Sequence, residues 1–120
     1  MDQIVQVLKA LGDETRLKIL IIISRRRICA KGLSSHLNIS EAAVSQHLKV
    51  LKEAGIIIGE KYGYFVRYNI QRNALSEIIE FIEEINEKNS TYVKDFGLNI
   101  SIDCKASCKA NQNRCCNNNI

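Results

Sequence analysis

The chain has 120 residues and a net charge of +4 at neutral pH, which is the size of one domain and leaves no room for a second hydrophobic core. No apolar run approaches the roughly 18 residues that cross a bilayer, and Asp2 and Gln3 do not begin the basic leader of a signal peptide. We therefore expect a cytoplasmic protein with no membrane partner.

The positive charge is concentrated in the first part of the chain. Residues 1–72 carry 12 Lys and Arg against 6 Asp and Glu, whereas residues 73–98 carry 2 against 6. A basic surface suits the phosphate backbone of nucleic acid. Three consecutive arginines at 25–27 favour backbone contact or long-range steering over a merely solvated loop.

A helix-turn-helix is predicted over residues 29–55. The first helix would bury Leu33 and Leu37, and Asn38 with Ile39 would form the tight turn. Ser40 can cap the second helix, and Gly55 can end it in the left-handed conformation.

The second helix has the composition of a DNA recognition helix. Its apolar residues Val44, Leu48 and Leu51 recur at helical spacing and should face inward. The remaining side chains are small, uncharged or basic, which lets a helix enter a major groove, pair with a base edge and reach a phosphate. The predicted DNA-contacting residues of this helix are Ala42, Ala43, Ser45, Gln46 and Lys49. An ordinary amphipathic surface helix is the alternative, but it usually carries more charge on its outer face.

After Gly55 the apolar period changes from helical to alternating. The β-branched run 56–58, a turn at Tyr62 and Gly63, and alternation from residue 64 to 70 predict a two-stranded hairpin, the wing. Lys61 at its tip and Arg67 on its outward face suit phosphate or minor-groove contact, although a solvated hairpin would also carry such charges.

Apolar stripes at both ends of the chain predict dimerisation helices. One stripe runs from Ile4 to Leu11, and the other lies in the acidic segment 74–93 at Leu75, Ile78, Ile79, Ile82 and Ile85. Two such helices flanking a winged helix are better explained by a two-fold dimer than by a monomer core. Such a dimer would place two recognition helices about one DNA turn apart, so the operator should be an inverted repeat.

Two segments resemble the ArsR/SmtB family of winged-helix metalloregulators. Residues 8–20 resemble its second-helix signature, and residues 44–56 resemble its recognition helix. The resemblance implies an α+β, mainly helical fold, with a winged helix-turn-helix and terminal dimerisation helices. It also implies a homodimeric repressor that binds a palindromic operator and releases it when an inducer binds.

The last segment carries four of the five cysteines. Residues 1–97 are the expected DNA-binding and dimerisation domain, and residues 98–120 form a polar tail with Cys104, Cys108, Cys115 and Cys116. In a cytosolic protein this clustering favours metal or redox chemistry over structural disulfides. Thiolates suit thiophilic ions such as trivalent arsenic, antimony, cadmium, lead or cuprous copper, and four of them could hold zinc. An iron–sulfur cluster, a disulfide switch and an incidental disordered tail remain alternatives.

The chain departs from the family's known metal sites. Cys29 corresponds to the first cysteine of the site near the helix-turn-helix, but Lys31 stands at the second, so Cys29 is expected to be packed. The zinc site of the last helix is lost, with Arg72, Ala74 and Ile85 at its positions. Metal sensing is therefore expected in the tail.

No catalytic constellation is evident. His36 and His47 are too few and too separated for a catalytic arrangement, and no glycine-rich phosphate loop or carboxylate pair stands out. We therefore do not expect an enzyme. The rival from another class is a metal-binding interaction protein without operator specificity.

Overall fold

The computed structural model describes residues 2–99, and within that range the chain forms five helices and three strands. In chain order these elements are α1 (Asp2–Leu11), α2 (Glu14–Arg25), β1 (Ile28–Cys29), α3 (Ala30–Leu37), α4 (Glu41–Glu53), β2 (Ile57–Tyr62), β3 (Phe65–Ile70) and α5 (Arg72–Asn86). The prediction of a mainly helical winged helix-turn-helix is confirmed. None of the helices in this range is long and apolar enough to span a membrane.

The wing has one strand more than the sequence predicted. β2 and β3 form the expected hairpin, but β1 pairs antiparallel with the other edge of β3, which gives the order β1-β3-β2. Cys29 lies opposite Arg67 in this ladder, so it ends a strand and does not begin a helix. The third strand attaches the wing to the chain that leads into α3.

Local signals set both ends of α4 as expected. The Ser40 hydroxyl accepts a hydrogen bond from the Ala43 backbone N–H at 3.1 Å, which satisfies one of the free donors at the helix start. Asn38, in the turn between α3 and α4, has a φ of +56°, and Gly55 after the last turn has a φ of +76°. Both residue types tolerate the left-handed region, so each turn can be tight.

A single core joins the helix-turn-helix to α2 and to the sheet. Leu33 of α3, Leu51 of α4 and Ile56 before β2 are completely buried. Ile19 of α2 and Val44 of α4 are equally buried. Each large aliphatic side chain contributes about 1.5–3 kcal/mol when fully removed from water.

Part of the amino-terminal stripe is buried within the protomer, so only its remaining residues are available to a dimer interface. Ile4, Val7 and Ala10 of α1 are each only 1% exposed, and α1 packs against α5 of the same chain. An apolar stripe along a helix indicates that this face will be buried. It does not indicate whether the same chain or a second copy will bury it. Val5 and Leu8 on α1 remain partly exposed.

α5 contains the whole predicted apolar stripe but ends before the acidic segment 74–93 does. It ends at Asn86, and Lys88 takes a φ of +60° while the Asn89 N–H donates to the Glu84 carbonyl. The chain then turns back along α5. Tyr92 and Phe96 pack on Phe81, with ring centroids 5.1 and 5.7 Å away.

We predict that Ser40→Ala lowers the free energy of unfolding by about 0.5–2 kcal/mol, because the Ala43 N–H loses its capping acceptor. Urea denaturation measures the change. Ser35→Ala, at an exposed position within α3, is the control and should change stability by less than about 0.5 kcal/mol. Equal effects of the two substitutions would contradict the capping role.

Candidate nucleic-acid interface

α4 presents one continuous outer face. Ala42, Ser45, Gln46 and Lys49 are all exposed, and their spacing places them along one side of the helix. Ala43 is half-buried beside them, and its backbone N–H is taken up by the cap. The structure thus brings together four of the five predicted contacts of this helix and sets Ala43 at their edge.

This face suits the major groove in shape and chemistry. Ala42 and Ser45 are short, so the helix axis can lie close to the bases. The Gln46 amide can donate from its NH2 group and accept at its carbonyl oxygen, the pair that matches adenine N7 and N6. The Lys49 ammonium can reach a phosphate, which adds affinity but no sequence preference.

A polar contact that the sequence did not indicate holds α4 against the start of α2. Arg16 Nε donates to the Ala10 carbonyl at 2.7 Å, and Nη2 donates to the Lys9 carbonyl at 3.2 Å. Arg16 Nη1 lies 3.4 Å from His47 Nδ1 on α4. One guanidinium therefore satisfies carbonyls at the end of α1 and contacts the recognition helix.

Asp13 completes this contact. Its carboxylate accepts the Arg16 backbone N–H at 3.0 Å and lies 3.9 Å from His47 Nδ1. The hydrogen bond from the Arg16 N–H, with smaller help from the nearby positive charges, holds the pKa of the Asp13 carboxyl below its usual value. Asp13 therefore stays ionised as the cap of α2 at neutral pH.

The two predicted wing residues lie on opposite faces of the hairpin. Lys61 pairs with Val66, one step from the Tyr62–Phe65 pair that closes the hairpin, and Arg67 pairs with Glu60. Because side chains alternate along a strand, Lys61 and Arg67 cannot contact the same group from one face. Both are exposed.

Tyr62 arranges the basic groups on the Arg67 face. The Arg67 guanidinium lies 5.0 Å from the Tyr62 ring centroid, and Arg27 Nη1 donates to the Tyr62 hydroxyl at 2.8 Å. That hydroxyl donates in turn to Glu60 at 3.1 Å. Arg27 belongs to the basic run 25–27, but no pattern in the sequence connects it with Tyr62.

Similarity to known proteins agrees with this architecture. The family model described as "Bacterial regulatory protein, arsR family" matches residues 13–58, from the cap of α2 into β2. The chain is 31% identical over 110 residues to the arsenical resistance operon repressor of Escherichia coli K12. The aligned region covers 87% of this chain and 94% of that protein. The chain belongs to the ArsR family of transcriptional repressors.

A second repressor sequence and a solved structure agree with membership of this family. The transcriptional repressor SdpR of Bacillus subtilis is 34% identical over 76 residues, 63% of this chain and 84% of that protein. The solved structure of an ArsR-like transcriptional regulator from Rhodococcus sp. RHA1 superposes with a TM-score of 0.66 at 26% identity, covering 82% of this chain and 96% of that one. The fold is thus that of an ArsR-family winged helix, in which α4 is the second helix of the helix-turn-helix.

The predicted metal ligands of this ArsR-family chain lie outside the described range. Cys104, Cys108, Cys115 and Cys116 all follow residue 99. Between residues 2 and 99, no group of three His, Cys, Asp or Glu side chains is placed to hold a metal ion. Cys29 in this range is a free, half-buried thiol, which agrees with its expected packing.

We predict that Arg16→Ala lowers the free energy of unfolding by about 1.5–3 kcal/mol, because two carbonyls of α1 lose a charged donor. Lys18→Ala removes the same charge from an exposed residue whose ion pair with Glu14 is 3.9 Å long, so it should cost less than about 0.5 kcal/mol. Urea denaturation of both variants makes the comparison. An Arg16 variant as stable as the Lys18 variant would contradict the bridging role.

Proposed function

We propose that this ArsR-family repressor is a homodimer that binds an inverted-repeat operator and is released when a thiophilic ion or metalloid binds its carboxy-terminal cysteines. The observation that carries the DNA-binding part is the exposed face of α4, where Gln46 and Lys49 stand beside two small side chains. Gln46 is assigned to a base edge, and Lys49, Lys61 and Arg67 are assigned to the backbone.

An exposed apolar surface supports the dimer. Ile79, Ile82 and Ile85 of α5 are 57%, 50% and 53% exposed, and Val5 and Leu8 of α1 are about one-third exposed. Because α1 and α5 pack together, we assign these side chains to one dimer surface formed by both helices. A second copy would remove this surface from water. The two-fold axis would then relate two α4 helices, as an inverted repeat requires.

The cysteine-rich segment supports the sensing part. Residues 98–120 carry four thiols, and we assign them as a sensor appended to the domain of residues 1–97. The matched relative from Escherichia coli is a repressor of arsenical resistance, and thiolates are the ligands that trivalent arsenic, cadmium, lead and zinc prefer. α5 and the segment packed on Phe81 connect these thiols to the proposed dimer surface.

The proposed repressor role bears on where the protein acts and on whether it is an enzyme. A repressor must share a compartment with its operator, so a cytoplasmic location stays a prediction. We propose no catalytic activity, because the relatives it matches are transcriptional repressors.

We predict that Gln46→Ala reduces the preference for operator over scrambled DNA by about 1–3 kcal/mol, because a bidentate base contact is lost. Lys49→Ala should instead weaken binding to both duplexes equally. Fluorescence anisotropy at fixed salt, on the upstream region of the gene and on a scrambled duplex, separates these effects. Unchanged discrimination by the Gln46 variant would show that base recognition lies elsewhere.

We also predict that replacing Cys104, Cys108, Cys115 and Cys116 by Ser leaves operator affinity intact but abolishes release by arsenite or Cd²⁺. Wild-type release should strengthen as the pH rises toward a thiol pKa of about 8.5, because ligation requires the thiolate. Cys29→Ser is the matched control and should still respond. Release of the four-serine variant at wild-type inducer concentration would place sensing outside the tail.

A further inference from the structure

A cationic cavity lies where β1, α3 and β3 meet. Its volume is about 290 Å³, and Arg26, Arg27, His36 and Arg67 contribute charged or polar side chains to its lining. Cys29 and Gly32 also line it, and no carboxylate does within the part of the chain that the structure describes. The cavity is therefore suited to an anion.

Three separate segments supply these groups. Arg26 and Arg27 precede β1, and Arg67 lies on β3 directly opposite Cys29 of β1. Gly32 and His36 are one turn apart on α3, so both lie on the same side of that helix. A Cβ atom at Gly32 would come within 2.7 Å of Ile28 Cγ1, so glycine lets α3 pack closely on β1.

No carboxylate within residues 2–99 lies within ion-pair distance of a guanidinium of this cavity, although Glu60 stands opposite Arg67 in the hairpin. The ion pairs found within residues 2–99 join Lys18 to Glu14 and His47 to Asp13, and none involves an arginine of this cavity. Arginine stays protonated at all physiological pH values, and three such groups around one cavity repel each other. An anion bound between them would relieve that repulsion.

Tyr62 holds two of these groups in place. The Tyr62 hydroxyl accepts a hydrogen bond from Arg27 Nη1, and the Arg67 guanidinium lies over the Tyr62 ring. Glu60 fixes the hydroxyl by accepting a hydrogen bond from it at 3.1 Å. Because Tyr62 already holds both arginine side chains, they lose less conformational entropy on binding a ligand than two unrestrained arginines would lose.

We propose that Arg26, Arg27, His36 and Arg67 form a binding site for a phosphate group, with Tyr62 as its positioning residue. Planar guanidinium groups match the spacing of phosphate oxygens and can bind them in pairs. The phosphate belongs either to the operator backbone, in which case this inference rests on the proposed function, or to a small phosphorylated solute.

Inorganic phosphate titrated into the full-length protein tests the site directly, with chloride at equal ionic strength as the reference. In NMR spectra, we expect saturable shifts of the Gly32 and His36 amides that disappear when Arg27→Ala and Arg67→Ala are combined. Arg25→Ala is the matched control, because Arg25 belongs to the same basic run but does not line the cavity. Tyr62→Phe keeps every charge and should weaken phosphate binding several-fold, since it releases Arg27.

The salt dependence of operator binding distinguishes the two sources. A backbone phosphate predicts that the double variant lowers the slope of log K against log salt by about 1 to 2, that Arg25→Ala has a smaller effect, and that phosphate competes with DNA. A free solute predicts that Arg27→Ala alone leaves the slope unchanged, since Arg67 is separately assigned to the operator backbone, and that phosphate binds equally in the DNA complex.

The proposal is overturned if phosphate causes no saturable shift and the slope does not change, or if Arg25→Ala reproduces every effect of the double variant. Operator binding that persists in that case would leave the proposed function standing. Conversely, saturable phosphate binding by a protein that shows no operator preference would reject the proposed function but keep this site as one for a free solute.

Discussion

Burial of the inner face of α4 fixes which of its side chains remain free for DNA. Val44, Leu48 and Leu51 are at most 2% exposed, and each contributes about 1.5–3 kcal/mol by leaving water. A rotation of α4 by one residue would expose these groups and bury polar ones such as Ser45 or Lys49. That exchange costs several kcal/mol, so the exposed set that includes Gln46 is determined by the core.

Polar contacts then fix the surroundings of this helix. Arg16 joins the end of α1 to His47 on α4, and Tyr62 joins the chain before β1 to the wing. Both contacts use an arginine between segments distant in sequence. The Arg16 contact connects the end of α1 to α4, so movement of α1 can reach the proposed recognition helix, whereas the Tyr62 contact holds the wing against the chain that leads into α3. Coupling of this kind between an effector site and a DNA site is typically about 1–3 kcal/mol.

The sequence predicted α4 well because its signals are local: a capping serine, a helical apolar period and a terminal glycine. β1 could not be predicted, since a two-residue strand has no period and exists only through pairing with β3. The stripe at Ile4 and Val7 indicated burial but not which elements would supply it; α1 packs on α2, α4 and α5 of the same chain. The contacts of Arg16 and Tyr62 depend on tertiary structure, so no sequence pattern points to them. The tail cysteines beyond residue 99 stay a prediction from composition and spacing.

A hydroxyl-radical footprint of the wild-type protein on the upstream region of its gene tests the central claim most directly. A dimer with two exposed α4 faces predicts two symmetric protected half-sites with centres about 10 base pairs, or a whole number of helical turns, apart. Methylation interference should map to major-groove purines within each half-site. A single protected half-site, or uniform protection that a scrambled duplex reproduces, would contradict a two-fold repressor that recognises its operator through α4.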